Sequence, residues 1–216
     1  MKKLALAAVL LAGTALASLP ARADVILETK LSGTGDNVVL NSVLGDLALA
    51  QLNGQHQEFV RFRDLTGSTT FAAQSTGNDI KLTGSNNIFI QVFDAANLNL
   101  LGTTTEVFSL NGTGQASAFV QAVDAFGNPE PIQFFDLGTL SLTQPSNFTL
   151  SAINGEVMTS VRITDLTGNI TSFEHFRIDV AAIPVPGPIV GAGLPGVIMA
   201  LGGLFGLNRF RRRRTA

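Results

Sequence analysis

Few side chains in this sequence are suited to covalent chemistry. There is no cysteine, and His56 and His175 are the two histidines. Without cysteine there is no thiol nucleophile and no thiolate zinc site. The patterns H-E-x-x-H, G-x-S-x-G and G-x-x-x-x-G-K-[ST], which mark metalloprotease, hydrolase and nucleotide sites, are also absent from the sequence. The sequence therefore predicts no catalytic residue, no metal and no cofactor, and we expect the protein not to be an enzyme.

Both histidines have a structural interpretation. His56 lies in Q-H-Q-E, where a strand is expected to begin, and His175 follows Glu174 on a predicted strand, at an edge or rim position. The many Ser, Thr, Asp and Glu residues could still assemble in space as a Ser–His–acid triad or a two-carboxylate glycosidase site. A hydrolase acting on matrix polymers therefore stays open as an alternative function.

Two acidic loops could contribute to a cation site. Asp94-Ala95-Ala96-Asn97 and Asp124-Ala125-Phe126-Gly127-Asn128 each follow a predicted strand. Calcium needs about six to eight converging oxygen ligands, and the sequence contains no D-x-D-x-D-G run. A calcium site would have to be assembled from separate loops, and hairpin turns explain the same residues.

One segment of the sequence occurs twice. V-R-F-R-D-L-T-G at 60–67 returns as V-R-I-T-D-L-T-G at 161–168. Apolar residues alternate with Arg in both copies, so we expect one face of each strand to pack inward and Arg to point outward. D-L-T-G then predicts a turn, in which Gly can adopt positive φ. The segments could be matching ligand loops. We favour the structural interpretation that the same arrangement of strand and turn occurs twice in the fold.

The pattern of segment 24–183 predicts an all-β domain, an antiparallel β-sandwich of jelly-roll-like type. Short stretches of alternating polarity are separated by clusters of Gly, Asn, Asp, Ser and Pro, which mark turns. Val38–Leu52 could be helix or strand. The clearest predicted strands are Val25–Leu31, Glu58–Asp64, Asp79–Thr83, Asn87–Asp94, Glu106–Leu110, Gln115–Val123, Ile132–Leu137, Asn147–Ile153, Glu156–Asp165 and Ile170–Val180.

The first 23 residues are typical of a secretory signal peptide. Lys2 and Lys3 precede an apolar stretch, and Ala21-Arg22-Ala23 forms an A-x-A cleavage site. Cleavage there would make Asp24 the first residue of the mature protein.

The segment 184–216 has the three parts of a membrane-associated signal. Val185-Pro186-Gly187-Pro188 precedes an uncharged stretch at 189–207, which at about 1.5 Å per residue approaches the ~30 Å hydrocarbon thickness of a bilayer. The basic tail 208–216 predicts a transmembrane helix with its C-terminal end in the cytoplasm. The tail contains Arg209, Arg211, Arg212, Arg213 and Arg214.

This order of motif, span and arginine cluster resembles the PEP-CTERM sorting signals of exported proteins in Gram-negative bacteria. That family has Glu between two prolines, and here Gly187 lies between Pro186 and Pro188, so the segment resembles a variant of the signal. The resemblance implies an exosortase-like processing enzyme as a partner, with transient anchoring in the inner membrane before release to the envelope or the exterior. A plain single-pass anchor is the alternative interpretation.

Charge and aromatic composition restrict the ligands of segment 24–183. It carries six basic and 16 acidic residues, a net charge of −10, so we expect no nucleic-acid partner. The chain contains no Trp and no Tyr, which are the aromatic residues that usually form sugar platforms. We expect a non-enzymatic component of the envelope or extracellular matrix. The alternative is an exopolysaccharide-binding module that uses a flat sheet face.

Overall fold

The computed structural model describes residues 24–33, 35–52, 58–67, 71–75 and 80–185. Within these ranges the chain forms thirteen strands, all paired antiparallel, and no helix. The strands are β1 (Val25–Glu28), β2 (Asp36–Leu44), β3 (Leu47–Leu52), β4 (Glu58–Asp64), β5 (Ala72–Ser75), β6 (Ile80–Thr83), β7 (Asn87–Asp94), β8 (Leu100–Thr113), β9 (Gln115–Val123), β10 (Gln133–Thr139), β11 (Ser146–Ala152), β12 (Val157–Asp165) and β13 (Asn169–Ala181).

The prediction of an all-β antiparallel domain is confirmed, and β4, β7 and β9 have the predicted bounds. Val38–Leu52, for which the sequence allowed either helix or strand, lies in the β2–β3 hairpin, with Gly45 at φ 60° in the turn. The sequence pattern did not reveal β5, which has only four residues. It also showed only the middle of β8, which is 14 residues long, because Gly102 and Gly112 interrupt the alternation.

The strands form two layers around one core. The first layer has the order β1-β11-β8-β13-β6-β5, and the second has the order β10-β9-β12-β7-β4-β3-β2. Pairing of β2 with β13, and of β8 with β7 and β12, joins the layers into a closed circuit of seven strands. The layers agree with the predicted sandwich, although hydrogen bonding continues from one layer into the other.

Two strand pairs form one long ribbon that passes through both layers. In the first layer β8 pairs with β13, and in the second layer β9 pairs with β12. The ribbon changes layer where Gly114 lies against Gly168. A Cβ atom on Gly168 would lie 2.0 Å from Thr113 O, and one on Gly114 would lie 2.5 Å from Gly168 N. Only two glycines allow the backbones to approach this closely.

Phenylalanine fills the space between the layers. Phe62 of β4 meets Phe176 of β13 edge-to-face, with ring centroids 4.7 Å apart. Phe176 also contacts Phe173, and Phe108 contacts both of them and Phe148. All five rings are fully or almost fully buried. Because the chain has no disulfide and no Trp, these rings carry much of the hydrophobic stabilisation of the core.

A carboxyl group also lies in the interior. Glu106 of β8 is only 2% exposed, and its Oε1 accepts a hydrogen bond of 2.9 Å from Thr103 Oγ1. Its Oε2 has no hydrogen-bond partner. Burial raises the pKa of Glu106 to about 7, against the opposing effect of the Thr103 hydrogen bond. The group is therefore protonated in the folded protein across a pH range in which it ionises in the unfolded chain.

We predict that Glu106→Gln removes one component of the pH dependence of stability. A carboxyl pKa that is raised in the folded state favours folding at low pH, and this contribution is lost as pH rises from about 4.5 to about 7. The loss corresponds to about 3 kcal/mol. Chemical denaturation measures the free energy of unfolding of both proteins at pH 4 and pH 8. The value for the variant minus that for the unmodified protein should be about 3 kcal/mol higher at pH 8 than at pH 4. An unchanged difference between the two proteins would contradict the prediction.

We also predict that Gly168→Ala destabilises the protein by about 3 kcal/mol, because the added methyl group collides with the backbone of Thr113. Gly67 holds the same position in the other copy of the repeat, has φ 67°, and has open space around it. Gly67→Ala should cost only about 1–2 kcal/mol of left-handed backbone strain. Urea unfolding of both variants measures the difference, and equal losses would show that the ribbon tolerates a side chain at the crossing.

Candidate functional site: an Arg–Phe face on the second layer

Of the two histidines, only His175 lies among the described residues. His56 lies outside the described residues. His175 is exposed and has φ 58°, in the stretch where the β13–β8 register shifts between Glu174 and Arg177. Of the predicted edge or rim position, the edge is not found, because β13 pairs with β8 on one side and with β2 and β6 on the other. A bulge, rather than an edge, places this side chain at the surface.

The acidic loops are hairpin turns. Asp124 Oδ1 accepts hydrogen bonds from the backbone N–H groups of Phe126 and Asn128, and its Oδ2 accepts one from Asn128 Nδ2, all at 2.8 Å. Despite the opposing effect of burial, these bonds lower the pKa of Asp124. Asp94 Oδ1 accepts from Ala96 N in the same manner. These carboxylates are occupied by their own turns, and no group of three potential metal ligands occurs among the described residues.

The repeated D-L-T-G segments end two strands that flank β7. β4 pairs with one side of β7 and β12 with the other, so both turns lie at the same end of the sheet. Asp64 Oδ1 accepts hydrogen bonds from Thr66 N and Oγ1, and Asp165 Oδ1 accepts from Thr167 N and Gly168 N. The aspartates therefore stabilise the turns, which favours the interpretation of one strand–turn solution used twice.

An acidic cavity lies at the opposite end of β7. It has a volume of about 430 Å³. Four carboxylates from four strands line it, together with apolar residues of β3, β8 and β13. They are Asp36, Glu58, Asp94 and Asp179. Within the described chain these acids do not approach closely enough to form a metal site.

The outward surface of the second layer has a different character. Its strands alternate between buried aliphatic residues and outward Arg, Phe and Gln. We call this surface the Arg–Phe face. It consists of Phe59, Arg61, Arg63, Phe89, Gln91, Phe93, Phe119, Phe134 and Arg162.

The register of the sheet aligns six residues of the second layer in one row across six strands. Strands about 4.8 Å apart give this row a length of about 24 Å. From β10 to β3 the row runs through Phe134, Phe119, Arg162, Phe89, Arg63 and Leu47. Three aromatic rings and two guanidinium groups are thus interspersed along an extended strip.

Neutral groups hold Arg61 on this face. Its guanidinium carbon lies 4.5 Å from the centroid of the Phe93 ring, and its Nη2 donates a hydrogen bond to Gln91 Oε1. Its Nε is buried without a hydrogen-bond partner. Burial of the guanidinium, followed by the nearby charge of Arg63, lowers the pKa of Arg61. The positive charge is therefore oriented by an aromatic ring and an amide, and within the described part of the chain it forms no ion pair with a carboxylate.

Arg162 has a similar environment. Its Nε donates a 2.7 Å hydrogen bond to Asn87 Oδ1, and its guanidinium carbon lies 5.7 Å from the Phe119 ring centroid. Phe119 in turn meets Phe134 edge-to-face at 5.3 Å, and Phe134 is 57% exposed. The third guanidinium of the face, Arg63, is paired with Asp46 at 3.3 Å.

The outward surface of the first layer is partly covered by the chain itself. Thr149 of β11 bonds to Ser32 N and to the carbonyl groups of Lys30 and Ser32. A Cβ on Gly33 would lie 3.0 Å from the Val107 side chain, and Val107 and Thr149 are almost fully buried. The segment between β1 and β2 therefore lies across this layer. The Arg–Phe face has exposed and half-buried side chains instead.

The sequence predicted part of this face. Alternation in the repeated segments predicted outward-pointing Arg61, Arg63 and Arg162, and this is confirmed. It did not single out Phe89 or Phe119, because an alternating pattern shows two faces of a strand without showing which strands will be neighbours.

The sorting residues lie almost entirely outside the described residues. This applies to Ala21, Ala23, Pro186, Gly187, Pro188, the predicted span 189–207 and the arginines of the tail. Val185 is the one described residue of the motif, and it is 85% exposed. Among the described residues, no helix has the length and apolar character that a membrane crossing requires.

Comparison with known proteins gives distant similarities. No protein-family model matches the chain, and no curated protein matches it. Similar solved structures include "Carbohydrate binding module family29", with 10% identity and a TM-score of 0.31 over 77% of this chain and 92% of that chain. A family 29 module from Piromyces equi, CBM29_1, has 10% identity and a TM-score of 0.31 over 70% and 91% of the two chains.

A variant of CBM29-2 complexed with mannohexaose has 10% identity and a TM-score of 0.30 over 77% and 96% of the two chains. With TM-scores near 0.3, these similarities assign neither a fold family nor a ligand to this chain.

Proposed function

We propose that this chain is an exported, non-enzymatic surface protein that binds polysaccharide through the Arg–Phe face, as a component of the envelope or extracellular matrix. The observation that carries the proposal is the row of neighbouring Phe and Arg side chains across the second layer. A strip about 24 Å long matches an extended polymer better than a compact small molecule.

The chemistry of the face is suited to sugar rings. The planar surface of a Phe ring can pack against the C–H groups of a sugar, and guanidinium and amide N–H groups can donate to its hydroxyl groups. Phenylalanine lacks the polar atom that Trp or Tyr would provide. On this face Arg61, Gln91 and Arg162 lie beside the rings and supply that function.

We predict that Phe134→Ala weakens binding to polysaccharide by about tenfold, which corresponds to roughly 1.4 kcal/mol. Phe134 is 57% exposed and extends the row at β10, so its removal takes away contact area with little effect on the core. Affinity electrophoresis of the full-length protein in gels containing different polysaccharides provides the measurement. Phe126→Ala is the matched control, because Phe126 is 66% exposed but lies in the 124–128 turn. Equal mobility of both variants in every gel would argue against the face as the binding site.

We further propose that segment 184–216 is a processing signal. Proline fixes φ and favours an extended conformation in the residue before it, so the V-P-G-P segment suits a protease cleft that binds extended chain. The exposed Val185 at the end of the described domain is compatible with such access. The arginine tail would hold the span in the membrane until cleavage.

The processing proposal predicts a specific loss of mass. In a host with the matching exosortase, intact-mass measurement of envelope and medium fractions should show protein that lacks the residues after about Pro186. Full-length protein confined to the inner membrane would instead identify a permanent single-pass anchor.

A further inference from the structure

We infer that the ligand of the Arg–Phe face is an acidic, carboxylate-bearing polysaccharide. This inference rests on the proposed polysaccharide binding and specifies its chemical class. It depends on the distribution of charge over a domain in which 16 acids face six basic residues.

Cations are concentrated on the Arg–Phe face. Three of the six basic residues of segment 24–183 lie there, namely Arg61, Arg63 and Arg162. Lys30 and Lys81, which lie elsewhere, form ion pairs with Glu28 and Glu174. Half of the basic residues of this strongly acidic domain therefore lie on one surface.

Two of these cations have no anionic partner. Among the described residues Arg61 and Arg162 contact aromatic rings and neutral amides, and neither forms an ion pair with a carboxylate. Their unneutralised charge is available to a ligand, and a guanidinium forms its strongest hydrogen bonds with carboxylate oxygens. Since Phe rings lie next to each guanidinium, an anionic group attached to a sugar ring fits both contacts.

The test compares polygalacturonate with its fully methyl-esterified form, which has the same backbone without the charges. The full-length protein should bind polygalacturonate more tightly, and the preference should decrease with added salt. Arg61→Gln combined with Arg162→Gln should weaken binding to polygalacturonate about tenfold or more and weaken binding to the ester much less, so that the preference for the charged polymer is largely lost. Arg162→Gln alone, at an exposed position, keeps the test valid if the double variant folds poorly.

Arg177→Gln is the matched control, because Arg177 is an exposed arginine of β13 in the first layer. It should not change the preference between the two polymers. Equal binding of both polymers, unaffected by the arginine variants, would overturn the acidic ligand and leave polysaccharide binding in place. Failure to bind these polymers or any neutral polysaccharide would overturn both proposals.

A separate observation concerns the start of the mature chain. The backbone nitrogen of Asp24, the residue after the predicted cleavage site, donates a hydrogen bond to Glu156 Oε2. Glu156 is only 4% exposed. The Asp24 carbonyl accepts from Ile153 N, and the next residue, Val25, pairs with Ala152 of β11. The position of this nitrogen is therefore set by the sheet.

The geometry points to a partly buried ion pair that forms when the signal peptide is removed. Before cleavage, Asp24 contributes one neutral N–H group to Glu156. After cleavage it contributes an ammonium group with three donors and a positive charge. Burial, followed by the charges of Asp24, Glu130 and Asp124, raises the pKa of Glu156 against the effect of the hydrogen bond from Asp24. A cation at this nitrogen would favour the ionised form of Glu156 and reduce the repulsion among these carboxylates.

Thermal unfolding of cleaved and uncleaved protein tests the ion pair, with cleavage blocked by Ala23→Leu. The cleaved form should have the higher Tm and should lose that advantage as pH rises above about 8, where an α-ammonium group deprotonates. Glu156→Gln should lower the Tm of the cleaved form more than that of the uncleaved form. Glu130→Gln, which removes a nearby charge without contacting Asp24 N, should not show this difference. Equal effects of Glu156→Gln on both forms, or a mature chain beginning elsewhere than Asp24, would overturn the proposal.

Discussion

The close contact of Gly114 with Gly168 is the constraint on which the rest of this fold depends. At this point both strands of a continuous ribbon leave one layer and enter the other, and they stay paired throughout. Any side chain at either glycine would meet backbone atoms. Because the two strands stay paired through the bend, the register of β8 with β13 fixes the register of β9 with β12.

The register of β9 with β12 determines which side chains lie on the outward surface of the second layer. The pairing of β9 with β12 sets Phe119 beside Arg162, and the pairing of β12 with β7 sets Arg162 beside Phe89. A shift of one residue in the ribbon would turn these side chains into the core and bring Val120 and Val161 to the surface. The Arg–Phe face and the hydrophobic core are thus two consequences of one register.

The effect of charge on ligand binding depends on where the charged side chains lie in the structure. A net charge of −10 over segment 24–183 would by itself suggest that anionic ligands are repelled. The structure separates the charges, with carboxylates lining a cavity at one end of β7 and arginines supported by rings and amides on the outward face. Coulomb interactions weaken over about 8–10 Å in physiological salt, so a local arrangement of this kind outweighs the distant net charge.

The class of fold and the bounds of several strands could be predicted from the sequence, because alternation and turn residues act over a few neighbouring positions. The sequence also predicted that Arg61, Arg63 and Arg162 point outward, since side-chain direction in a strand has a period of two. It could not show that β4 and β12, 101 residues apart in the repeat, flank the same strand, or that Val38–Leu52 is a hairpin. Nor could it show that His175 lies in a bulge or that Glu106 is buried. Those features depend on pairing between distant segments, which only the packing of the two layers decides.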